Sequence, residues 1–264
     1  MIFKPPNEVV FLCPTFSFLH FPYLYHQIIS MDILYILGDG SPFYNEELKY
    51  SLRSLERYGK NIGRVILVGE KPSFLDYSKI EHYPFNETGV KEFRIAAKIL
   101  HACNIGAVDG DFLFCNDDFF FTKEFDCNNF PYYQKGLLYT GQLNNAYADH
   151  LRLTRDFLLS KGKPTYHFDV HCPIIYNSDR FQCLIEAWEY SRDSIGMVVK
   201  STYANMYGLN GPFYNDIKLK ALETPMDKFL MGINECFSIY DQAWNLGVKK
   251  YLESNFTSKS KWEL

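Results

Sequence analysis

Asp111-Phe112-Leu113-Phe114-Cys115-Asn116-Asp117-Asp118-Phe119-Phe120-Phe121 carries the strongest architectural signal in the chain. Residues 112–115 are an apolar run short enough for a buried strand, and Asn116, Asp117 and Asp118 follow where a core would not continue. The switch in polarity marks a strand end. In open α/β sheets ligands bind in the crevice beyond the carboxyl ends of the strands, and two adjacent carboxylates there suit a hard divalent cation that also holds substrate phosphates. A turn is the competing reading, because Asn and Asp side chains bond the local backbone.

Upstream, Asp32–Leu37 reads as a first core strand, broken by Gly38-Asp39-Gly40-Ser41-Pro42. Glycines at a strand end let backbone amides approach a phosphate without side-chain clash, although Asp-Gly is also an ordinary turn. Asn45 is placed as a helix N-cap, with Glu46 and Glu47 in the first turn where the helix dipole favours acids. Leu48, Leu52 and Leu55 form its buried stripe, and Gly59 ends it. Lys49, Arg53 and Arg57 repeat every four residues, as a solvated face or as a row of cations that could meet a diphosphate. Strands are predicted at Arg64–Gly69 and Ile80–Phe85, then a helix over 89–102 with Phe93, Ala96, Ala97 and Leu100 towards the sheet and Arg94 and Lys98 on another face. Strand, helix, strand, short strand, helix, strand is the alternation of a sheet covered by helices.

Downstream the pattern loosens. A strand is predicted at Leu137–Thr140 and a helix over about 146–160. His167 and His171 are four apart, a metal-ligand spacing on a helix, but Val170 and Pro173 argue against a helix there. A loop or strand that points one imidazole into a cleft fits better, with an ordinary core or surface histidine as the alternative. Ser178 or Asp179 is expected to cap a helix, with Gln182 as capping-box partner and Phe181, Leu184, Ile185 and Trp188 on one face. Residues 200–216 read as a loop rich in Gly, Asn and Tyr. Residues 226–252 read as largely helical, with Asn234-Glu235 as a polar break, and 254–264 as a polar tail.

A chain of 264 residues can form one large α/β domain. The organisation expected is an N-terminal extension over 1–30 and a single domain over 31–264, with a nucleotide-binding half of about 31–123 and an acceptor half of about 124–264. Residues 1–30 resemble a signal peptide poorly, because Pro14, Pro22, His20 and His26 interrupt their apolar stretches; they could be an extension, an adapter strand or an upstream start. A net charge of −4 with no long basic run argues against a phosphate-tracking surface and so against nucleic acid as partner. Seven scattered cysteines with no CxxC pair suggest reduced thiols in a cytoplasm and give no support for structural zinc. No apolar run reaches about 18 residues, the length of a transmembrane helix.

Four blocks in order resemble the Stealth family, the nucleotide-sugar-dependent sugar-1-phosphate transferases of bacterial capsule synthesis, related to the lysosomal-enzyme N-acetylglucosamine phosphotransferase. They are Asp32–Ser41; the stretch Asn45–Tyr58 with the Arg64–Gly69 strand and Phe114–Phe120; His171-Cys172-Pro173; and Gly232-Ile233-Asn234-Glu235. The last departs from the family pattern, which carries Asn-Asp where this chain has Glu235. The resemblance implies a GT-A-like, Rossmann-like nucleotide-sugar-binding sheet with helices on both faces and a mostly helical C-terminal part. It also implies a nucleotide-sugar donor, a glycan or lipid-linked glycan acceptor, and a cytoplasmic site of action that includes the inner face of the membrane.

Phosphoryl transfer needs charge neutralisation at the diphosphate, in-line positioning of a hydroxyl, and a group to take its proton. On the resemblance, Asp117 and Asp118 hold Mg²⁺ or Mn²⁺, and Gly38, Asp39, Gly40, Ser41 and Asn116 contact the donor. Arg53 and Arg94 clamp phosphate, and His171 is the general base. An ordinary glycosyltransferase that releases nucleoside diphosphate is the runner-up, and a non-catalytic carbohydrate- or protein-binding module the third reading.

Overall fold

Alternating apolar runs and amphipathic helices build a mixed five-stranded sheet. The computed structural model describes residues 30–38, 40–86, 88–138, 141, 145–188 and 196–264. Residues 1–29, Asp39 and the end of the strand expected at Leu137–Thr140 lie outside these. The elements are β1 (Met31–Ile36), α1 (Glu46–Tyr58), β2 (Gly59–Lys60), β3 (Ile62–Val68), β4 (Ile80–Tyr83), α2 (Lys91–Asn104), β5 (Asp111–Cys115), β6 (Phe120–Phe121) and β7 (Phe125–Asp126). After these come α3 (Ala146–Ser160), β8 (Ile174–Asn177), α4 (Ser178–Ala187), α5 (Val199–Met206), β9 (Lys218–Leu219), α6 (Pro225–Met231), β10 (Cys236–Ile239), α7 (Asp241–Ala243) and α8 (Lys249–Asn255).

The central order is β4-β3-β1-β5-β8. β4, β3, β1 and β5 run parallel and β8 closes the edge antiparallel to β5. The chain steps outward from β1 through β3 to β4, then crosses back to set β5 on the other side of β1. The β1/β5 boundary is therefore a topological switch point, where open α/β sheets bind ligands. Both sheet faces are covered, as near-continuous apolar strands require. Leu48, Leu52 and Leu55 of α1 pack on one face with Ile33, Tyr35 and Leu113. Ala96, Ile99 and Ala102 of α2 with Phe181 of α4 and Tyr203 of α5 pack on the other, against Leu34, Ile66 and Phe112.

A smaller sheet, β6-β10-β9, stands beside the first. Residues 226–252 are mixed and largely helical, as expected, in α6 and in the run from α7 to α8; the strand between them was not foreseen, and there Cys236 and Phe237 pair antiparallel with Phe121 and Phe120. The stretch read as a loop over 200–216 begins inside α5, whose Ser201, Thr202 and Asn205 are buried because their side chains bond backbone or chain neighbours.

Caps differ as well. Asn177 caps α4 by accepting from the Arg180 amide, in place of Ser178 or Asp179. Asn45 precedes α1 in the left-handed region (φ 58°) and caps nothing with its side chain. The tail expected over 254–264 is packed: Trp262 is buried, its carbonyl accepts from the Asp76 amide, and the Leu264 amide donates to Phe74. Among the described residues no helix is long and apolar enough to cross a membrane.

Candidate active site

The loop after β5 carries the acid pair into the switch point, and α1 fixes that loop from below. The Ser51 hydroxyl donates to the Phe119 carbonyl at 2.7 Å, and the Phe121 amide donates to Ser54 Oγ at 3.0 Å. The Phe119 amide returns to the Asn116 carbonyl at 3.4 Å, so Asn116-Asp117-Asp118 is a turn as well as a candidate site. Phe119, Phe120 and Phe121 are fully buried and anchor it.

Asp118 Oδ2 accepts from Ser238 Oγ of β10 at 2.6 Å, and Lys218 Nζ of β9 lies 3.9 Å from the same oxygen. Glu47, in the first turn of α1, is buried and accepts from Ser41 Oγ at 3.1 Å on each oxygen. Burial raises its carboxyl, and Asp118 and Asp241 add to the rise. Asp117 is pushed up to about 7 by burial first, then by Asp118 and Glu47, against an opposing pull from Lys91. Burial first, and the neighbouring negative charges second, favour the protonated carboxyl at Asp117. That is the situation a divalent cation relieves, and hard oxygen donors suit Mg²⁺ or Mn²⁺. Among the described residues no group of three or more His, Cys, Asp or Glu side chains could hold a metal ion; Asp117 and Asp118 are the carboxylates that the resemblance assigns to one.

His171 belongs to a second polar cluster. Its backbone N–H donates to Asp216 Oδ1 at 2.7 Å, and its Nδ1 lies 3.1 and 3.0 Å from Oδ1 and Oδ2 of the same carboxylate. Lys135 Nζ donates to Oδ2 at 2.8 Å. Burial works to raise the Asp216 carboxyl, but the bonds and charges of His171 and Lys135 hold it well below the usual carboxylate range. An ionised Asp216 fixes Nδ1–H towards itself and leaves Nε2 as the ring's basic nitrogen. Strand β10 joins the two clusters: Ser238 binds Asp118, and Cys236 Sγ lies 4.0 Å from the His171 carbonyl.

The other expected site residues divide. Ser41 meets Glu47; a Cβ built on Gly40 would meet open space, and one on Gly38 only the Gly40 amide nitrogen at 3.9 Å, an ordinary contact. Arg53 is elsewhere. Its Nε and Nη2 donate to the two oxygens of Glu263 at 2.7 and 2.6 Å and its Nη1 to the Phe256 carbonyl at 2.8 Å, so the guanidinium is committed to the C-terminal segment and not to the acid pair. Arg94 sits half-buried on the first turn of α2, beside Lys91. Glu235 accepts from the Tyr133 hydroxyl at 3.2 Å.

Sequence reading missed Ser51, Ser54, Glu47, Ser238 and Asp216 as site-building residues. Serines inside the leucine stripe of α1 were a usable signal, because a polar side chain on a buried face needs a partner. Asp216 is 45 residues from His171 and had no local signal. No family model matches the chain.

Proposed function

We propose that this chain is a metal-dependent transferase that takes a nucleotide-sugar donor and passes sugar-1-phosphate to a hydroxyl of a glycan or lipid-linked glycan, as the Stealth resemblance implies. The observation that supports this reading is the acid pair Asp117/Asp118 at the switch point, linked through β10 to an imidazole held by a carboxylate. Bound at the acid pair, Mg²⁺ or Mn²⁺ would neutralise diphosphate charge. Gly38, Gly40 and Ser41 line the approach of the donor, and Lys218 adds positive charge beside Asp118.

In this reaction the acceptor oxygen attacks phosphorus and the bond from that phosphorus to the nucleoside phosphate breaks. The acceptor proton passes to His171 Nε2, and nucleoside monophosphate leaves with the bonding electrons. Asp216 and Lys135 hold the ring through the transfer.

The test is nucleotide release from UDP- and GDP-sugars with Mg²⁺ or Mn²⁺ and candidate acceptors, separating mono- from diphosphate, for the protein and for Asp117→Ala. Monophosphate that depends on metal and vanishes in Asp117→Ala is the expected result. Diphosphate in its place would reassign the chain as a glycosyltransferase. Neither product, with no donor binding by calorimetry, would reassign it as a binding module.

A further inference from the structure

Beside His171 the chain forms a short pleated ribbon. The Val170 amide donates to the Phe168 carbonyl and the Cys172 amide to the Val170 carbonyl, both at 2.9 Å. Two successive three-residue turns of this kind repeat at close to two residues, so alternate side chains face opposite ways. Phe168, Val170 and Cys172 are buried in the core, which leaves Asp169 and His171 on the partly open side. Lys200 pins the ribbon from beneath: its ammonium is buried, donates to the carbonyls of Val170 and Cys172 at 2.8 and 2.6 Å, and lies 4.9 Å from the centre of the Phe119 ring.

Asp169 is half satisfied. Its Oδ2 accepts from the Tyr147 hydroxyl at 2.6 Å, and that hydroxyl is also 3.2 Å from His167 Nε2. Among the described residues no donor reaches its Oδ1. Burial disfavours the carboxylate, but Lys200 and the Tyr147 bond outweigh it and keep Asp169 ionised. That oxygen is not sealed from water, so it is open to a donor from outside the chain.

The nearby ammonium groups are already committed, Lys135 to Asp216 and Lys200 to backbone carbonyls. The wall formed by Asp169 and His171 therefore presents acceptors, which suits hydroxyl groups and repels phosphate. Residues two apart on such a ribbon are separated by roughly 6–7 Å or less, a span that one pair of neighbouring ring hydroxyls fills with a hydrogen bond at each end. Tyr147, 36% exposed, adds an aromatic edge.

Resting on the transferase reading above, we infer that Asp169, braced by Tyr147 and Lys200, is the acceptor subsite and binds the sugar hydroxyl that neighbours the one delivered to His171. Asp169 thereby selects acceptors with two adjacent hydroxyls.

The probes are methyl glycosides of mannose, galactose and N-acetylglucosamine, each beside an analogue lacking one hydroxyl of an adjacent pair, read by saturation-transfer NMR without catalysis. Donor binding with Mn²⁺ is measured separately by calorimetry with the UDP- and GDP-sugars. At least one glycoside should bind, and Asp169→Asn and the deoxy analogue should each weaken it about tenfold or more while donor binding stays. Tyr147→Phe, which removes one hydroxyl from a partly exposed ring, should weaken it about threefold or more, and with the deoxy comparison it decides the matter if Asp169→Asn does not fold.

Donor binding with no glycoside bound overturns the subsite, as does glycoside binding indifferent to these changes. Glycosides held through Asp169 with no donor bound would uphold the subsite and overturn the transferase reading.

Discussion

Ser51 Oγ donates to the carbonyl of Phe119 at 2.7 Å, joining the helix that follows β1 to the loop that carries the acid pair. The same oxygen meets the Tyr35 hydroxyl of β1 at 3.0 Å, so strand, helix and acidic loop share one buried polar knot. Its energetic weight lies in the cost of breaking it, because an orphaned buried carbonyl keeps its desolvation penalty.

Ser51→Ala should therefore destabilise the protein by about 1–3 kcal/mol, from the unpaired Phe119 carbonyl and Tyr35 hydroxyl together. Urea denaturation measures this. Mn²⁺ affinity should fall in the same variant, since the loop bearing Asp117 and Asp118 loses one tether. An unchanged unfolding midpoint would show that the loop holds its place without the serine.

Arg53 makes a separate case. Its two-pronged pair with Glu263 is nearly sealed from solvent, and Lys cannot reproduce the fork. Arg53→Ala should cost about 3–5 kcal/mol by leaving Glu263 buried without a counter-charge, held only by the Ser260 amide and hydroxyl, and Arg53→Lys should recover only part. Donor binding measured below the melting temperature should be unaffected. A loss of donor binding with stability intact would return Arg53 to the phosphate-clamp role read from its sequence spacing.

Much of this architecture was legible in the chain because periodicity reports burial. The stripe of Leu48, Leu52 and Leu55, the run Phe112–Cys115 and the helix over 146–160 follow from burial pattern alone, and each occurs as expected. Long-range pairing was not legible. Nothing near Arg53 announces Glu263, and nothing near His171 announces Asp216, because folding brings these partners together across 210 and 45 residues. The β10 strand was hidden for the same reason: four residues, Cys236-Phe237-Ser238-Ile239, fit helix or strand equally until their partner, Phe120-Phe121, is known.

Asp117 gives a pH test with a definite sign. Its carboxyl is raised from 3.8 to about 7 in the folded protein, so its contribution to stability is full below the unfolded value and is lost as pH rises through about 7. Above that point the ionised group is crowded by Asp118 and Glu47, and a cation relieves the repulsion. Mn²⁺ should therefore raise the melting temperature more at about pH 8 than at about pH 5. Asp117→Asn should stabilise the metal-free protein at the higher pH and abolish the Mn²⁺ effect. Equal Mn²⁺ effects at both pH values, or an effect that survives in Asp117→Asn, would remove Asp117 from the ligand set.

Asp216→Asn probes the imidazole. The carboxylate accepts the His171 amide, His171 Nδ1 and the Lys135 ammonium, and an amide in its place must present a donor to one of them. If that donor meets Nδ1, the ring shifts its proton to Nε2 and loses the lone pair that faces the acceptor. The ¹⁵N spectrum of His171 should then show an Nδ1–H tautomer in the protein and an Nε2–H tautomer in the variant. Nucleotide release stimulated by acceptor should fall by about 10²–10⁴ in kcat, with donor affinity unchanged, as expected for loss of a general base. A merely structural Asp216 would change stability and leave the tautomer as it was, so the nitrogen spectrum separates positioning from packing even before an acceptor is found.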